Sequence, residues 1–77
     1  MYNVVKTNLL TGETITKVTD LNNAVIMAGN TLLWGGAKIA VYDILAGMTI
    51  YENDGYGWVT GCDKQFKDAV WSYYKSI

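Results

Sequence analysis

The chain has 77 residues, 51% of them hydrophobic and 17% charged, with a formal net charge of -1 from 6 Lys or Arg against 7 Asp or Glu. That length holds one hydrophobic core and excludes a second domain, and the apolar content excludes disorder. The even charge balance, with no basic window, argues against a phosphate-backbone ligand, and the single cysteine, Cys62, excludes an internal disulfide and points to a reducing, cytoplasmic setting.

From Tyr2 to Leu10 and from Glu13 to Val18 β-branched residues dominate, and Thr11-Gly12 supplies the turn of a first hairpin. Asp20 can cap a helix from about Leu21 to Leu32, in which Leu21, Ala24, Val25, Ala28 and Leu32 recur at helical spacing. Gly35-Gly36 ends it. Lys38 to Leu45 and Met48 to Asn53 read as strands joined at Ala46-Gly47. Asn53-Asp54-Gly55-Tyr56 is the strongest turn signal and favours a two-residue loop into a strand from Tyr56 to Thr60. Asp63 can cap a last helix from Lys64 to Ile77, with Phe66, Ala69, Val70, Tyr73 and Ile77 on one face.

The order ββαβββα predicts an α+β domain over residues 1–77, a small antiparallel sheet of about five strands packed with two helices. The N-terminal stretch lacks the charged and apolar regions of a secretory signal. The longest near-apolar stretch, Ala37 to Ile50, falls short of the roughly 20 residues that cross a bilayer, so no membrane partner is expected.

The expected register places Tyr51 opposite both Tyr42 and Trp58, so that three aromatics line one face while Ile39, Val41, Met48, Ile50 and Val59 face the helices. On the last helix Trp71 falls about 140° from Phe66 and Tyr74 about 80°, which brings Trp71 near solvent. Two readings compete. Either a helix or Trp34 covers these rings, or Tyr42, Tyr51, Tyr56, Trp58, Trp71 and Tyr74 form a surface that binds a partner, as Tyr and Trp do at interfaces.

Catalytic chemistry is thin. The chain has no histidine, the commonest general base and metal ligand. Cys62 has no such partner to activate it, and its carboxylates are dispersed or committed to caps and turns. Gly35-Gly36 and Gly55-Tyr56-Gly57 do not fit a phosphate loop. No enzyme activity, catalytic residue, metal or cofactor is expected.

The run Asp20-Leu21-Asn22-Asn23-Ala24, the glycine break and strand after it, and Tyr51-Glu52-Asn53-Asp54-Gly55-Tyr56-Gly57-Trp58-Val59 with Cys62 resemble small bacteriophage anti-CRISPR proteins that inhibit a type I-F surveillance complex. The resemblance covers residues 20–62. It implies a short, non-enzymatic protein of the host cytoplasm that blocks a defence complex where that complex meets its target nucleic acid. Tyr56 and Gly57 stand where the family has basic residues, and the last helix lies outside the match.

The sequence thus favours a phage-type inhibitor that occludes a host protein or complex through its aromatic surface. A self-assembling structural protein is the alternative. A single-strand nucleic-acid binder stacking bases on Tyr42, Tyr51 and Trp58 is the third reading, weakened by the lack of flanking cations.

Overall fold

The computed structural model describes residues 1–77. Strands β1 (Tyr2–Asn8), β2 (Thr14–Thr19), β3 (Ala37–Asp43), β4 (Met48–Asn53) and β5 (Val59–Thr60) form one antiparallel sheet in the order β2-β1-β3-β4-β5. With helices α1 (Leu21–Trp34) and α2 (Lys64–Lys75) the fold is α+β in the order ββαβββα. The chain leaves β2, passes through α1 and enters β3 on the far side of β1, so β1 lies between its own hairpin partner and a strand reached by crossover.

Side-chain chemistry ends each element. Asn8 Oδ1 accepts from Leu10 N (2.8 Å) and Thr11 N (3.1 Å), which stops β1 two residues before Leu10, and Gly12 turns back with φ 78°. Asp20 Oδ1 accepts from Asn23 N (2.9 Å) to start α1, and Gly35, at φ 68°, closes it by donating to Thr31 O (2.9 Å). Asp43 Oδ1 takes Leu45 N (3.0 Å) and Ala46 N (3.1 Å), so β3 ends at Asp43 and not at Leu45. Asp63 accepts from Phe66 N (3.1 Å) to start α2, which stops at Lys75, short of Ile77.

The core unites Val4, Ile39, Val41, Ile50 and Tyr51 of the sheet with Ala24, Val25 and Ala28 of α1 and Phe66 and Val70 of α2. Both helices therefore cover one face. Full burial of an aromatic such as Phe66 contributes about 1.5–3 kcal/mol, a large share of the margin available to a domain this small. Small residues on α1 let α2 approach closely: a β-carbon on Gly29 would overlap the ring of Tyr73.

One irregularity decides which rings are wet. Val41 pairs with Tyr51 but Tyr42 pairs with Thr49, so Ile50 is an extra residue in β4. The bulge breaks the alternation, and the consecutive residues Ile50 and Tyr51 are both buried. Tyr51, expected on the partner-binding face, is 1% exposed and packs on Phe66 with ring centroids 5.5 Å apart. Met48, expected in the core, is exposed instead.

Candidate functional site

The face of the sheet turned away from the helices carries Val5, Thr7, Lys38, Ala40, Tyr42 and Glu52, the alternates of the buried Val4, Ile39, Val41 and Tyr51. Most of these side chains are short, and a tall one stands at the end of the row. Trp58 is 69% exposed, and the hollow it bounds, about 430 Å³, is lined by Val5, Thr7, Ala40, Glu52 and Thr60 among others. Lys38 and Glu52 line it too and neither is in an ion pair; the one ion pair of the chain joins Lys64 to Asp68 at 2.8 Å on the exposed side of α2.

Trp58 owes its position to Asp54. The two-residue loop expected at Asp54-Gly55 does not form, because Asp54 Oδ1 accepts from both Tyr56 N (2.7 Å) and Trp58 N (3.1 Å), and Asp54 N donates to Trp58 O (3.1 Å). Asn53 Oδ1 holds Gly55 N (2.9 Å). The chain therefore reaches β5 only at Val59, and Asn53 pairs with Val59 rather than with Tyr56. Gly55 has φ 85° and lies so close to β3 that a β-carbon there would come within 2.7 Å of Ala37 O. These bonds make the loop a fixed mount for an exposed indole.

The six aromatic candidates fall into three places. Tyr42 and Trp58 share the open face, at different ends of it, and Tyr56 is exposed on the loop between Asp54 and Trp58. Tyr51 is in the core, where burial raises its phenol above the ordinary value of 10.0. No row of three rings exists, so the base-stacking platform loses its central member. Trp71 and Tyr74 meet edge-on at 5.2 Å on α2, with the Lys75 ammonium 5.9 Å from the Trp71 ring centre. Trp71 is 50% exposed and also walls a small hollow with Leu32, Val59 and Val70, so much of its surface is already engaged.

Trp34, considered above as a cover for the sheet, is itself exposed at the end of α1. The floor of the hollow was not singled out from sequence, although strand alternation marks Val5, Thr7 and Ala40 once Val4, Ile39 and Val41 are placed inside. No group of three or more Asp, Glu or Cys side chains comes together in a metal-binding arrangement, and Cys62 Sγ donates to Thr49 O at 3.4 Å. No helix is long and apolar enough to cross a membrane. No protein-family model, curated protein or solved structure matches this chain.

Proposed function

We propose that this protein acts by binding, without catalysis, and that it docks the open face of its sheet onto a host protein complex with Trp58 as the main anchor. The observation that carries this reading is a tryptophan left 69% exposed on a loop whose backbone is fastened by one carboxylate. Interface energy concentrates on Trp and Tyr side chains whose ordering has already been achieved before contact. Tyr56 stands on the same loop as the anchor, Tyr42 adds a second contact at the opposite end of the face, and the hollow beside Trp58 accepts a side chain of the partner. The resemblance over residues 20–62 makes a type I-F surveillance complex the first partner to try, with steric occlusion of its nucleic-acid site as the mechanism.

The test uses the purified surveillance complex and its target DNA in a binding assay. Wild-type protein in excess should suppress DNA binding, Trp58→Ala should not, and Trp71→Ala should act like wild type. If folded wild type leaves DNA binding unchanged, the CRISPR partner is wrong. If Trp71→Ala fails while Trp58→Ala inhibits, the docking face is on α2.

A further inference from the structure

Strand β2 is the margin of the sheet, with β1 as its single neighbour, and every residue in it except Thr19 is exposed, Ile15 at 61%. The bonds Asn8 N to Glu13 O (2.8 Å), Leu9 N to Gly36 O (3.0 Å) and Ile44 N to Met1 O (3.2 Å) set the phase of the ladders. Even-numbered residues of β1 bond toward β2 and odd-numbered ones toward β3. Ile15 and Lys17, opposite Lys6 and Val4, thus turn their main-chain groups toward β1. Thr14, Thr16 and Val18 turn theirs outward. Such a free row of N–H and C=O groups is a template for another strand, and this one has neither proline nor bulge to blunt it.

We propose that β2 pairs antiparallel with β2 of a second copy about a two-fold axis at Ile15. Outward-facing residues must meet outward-facing residues, so the axis can pass through residue 15, 16 or 17 near the middle of the strand. An axis at Lys17 sets two lysines face to face, which is unfavourable. An axis at Thr16 sets Lys17 against Ile15. With the axis at Ile15, Lys17 faces Glu13 of the second copy, and symmetry repeats that pair. Thr14 then exchanges ladder bonds with Thr16 of the other copy. Ile15 meets its own copy at a site without ladder bonds, where side chains approach most closely.

The pairing of Lys17 with Glu13, which adjoins β2, therefore favours the register centred on Ile15 over the other two. Because Thr14 to Val18 are exposed, the helices leave that stretch of β2 uncovered, and two strands separate the helical layers of the copies, at about 4.8 Å per strand spacing. Both open faces lie on the same side of the joined sheet. An edge this short buries less than the roughly 800 Å² per partner of a standard interface, so the dimer forms with rising concentration rather than at all concentrations.

The full chain is followed by sedimentation equilibrium, and cross-linking is done in a Cys62→Ser background. Wild type is expected to pass from monomer to dimer as concentration rises, and Ile15→Cys to link into a disulfide dimer under mild oxidation while Thr16→Cys and Lys17→Cys do not. Glu13→Lys and Lys17→Glu should each weaken the dimer about tenfold, and the double exchange should restore it. Thr16→Pro removes an outward N–H, so it should keep the wild-type circular dichroism and remain monomeric. A monomer at every concentration, dimerisation of folded Thr16→Pro, or faster cross-linking at position 16 or 17 than at 15 overturns the proposal. Trp58→Ala leaves this edge untouched and should dimerise as wild type does, which separates this inference from the docking reading.

Discussion

The ring of Tyr73 fills the space that a β-carbon on Gly29 would need, and its hydroxyl donates to Asn30 Oδ1 at 2.9 Å. Helix α1 thus touches α2 through a glycine, in a segment where alanine would favour the helix by about 1 kcal/mol. Overpacking costs about 1–3 kcal/mol, and here the ring is held at its far end by a hydrogen bond, so it cannot swing aside freely. Gly29→Ala should therefore lower stability by up to about 2 kcal/mol in a urea titration. A gain in stability would show that the two helices can separate at no cost.

The Tyr51 hydroxyl is buried without a hydrogen-bond partner. An unpaired buried donor carries a desolvation cost of about 1–3 kcal/mol, so Tyr51→Phe should leave the fold equally stable or raise its stability by about 1 kcal/mol. Equilibrium unfolding at neutral pH reads this directly.

Alkaline pH should act on the same residue. Desolvation raises the Tyr51 phenol above 10.0, and Tyr2 is raised by burial together with the charges of Asp43 and Asp63. Both phenols resist ionising more in the folded chain than in the unfolded one, so their stabilisation is complete below pH 10.0 and is lost as pH rises through the folded values. Unfolding midpoints measured from pH 8 to 12 should fall above about pH 10, and Tyr51→Phe should flatten part of that decline.

Asp54→Ala removes the acceptor shared by Tyr56 N and Trp58 N. Hydrogen bonds to a charged acceptor contribute about 1.5–3 kcal/mol, reduced here by exposure, so a loss of about 1 kcal/mol is expected. The larger effect should be local. Amide exchange from residues 55 to 58 should accelerate, and inhibition of the partner should weaken because the indole is no longer held in place.

Trp58→Ala and Trp71→Ala should divide by phenotype. Trp58 contributes little to the core, so its loss should change stability by no more than about 0.5 kcal/mol while abolishing docking. Trp71 packs on Tyr74 and the hollow beside Val70, and its loss should cost about 1 kcal/mol with docking intact. Thermal unfolding with the DNA-binding assay reads both.

The element order was legible because its signals are local: Asp20 and Asp63 cap helices, and the glycines at 12, 35 and 47 adopt positive φ at the ends of elements. The register of β4 was not. A bulge at Ile50 depends on which residues the sheet must bury against Phe66, and pairwise alternation alone places Tyr51 on the wrong face. The loop after Asn53 failed for a related reason, since a carboxylate able to bind two amides outcompeted the tight turn that Asp54-Gly55 favours in isolation. Trp58 survives as a surface residue under both registers, and Tyr51 does not.

Strand β1 has further weight in how the molecule assembles. It zips to β2 through a short turn, but its other flank waits for β3, which arrives only after the whole of α1 has been traversed. The hairpin can form within microseconds, whereas the sheet closes on the slower clock of distant pairings. Until then one side of β1 stays unpaired, and the main-chain groups of Asn3, Val5 and Thr7 are open to unwanted partners. Helix α1 spans the crossover between β2 and β3, so closure of β1 against β3 is tied to the ordering of α1.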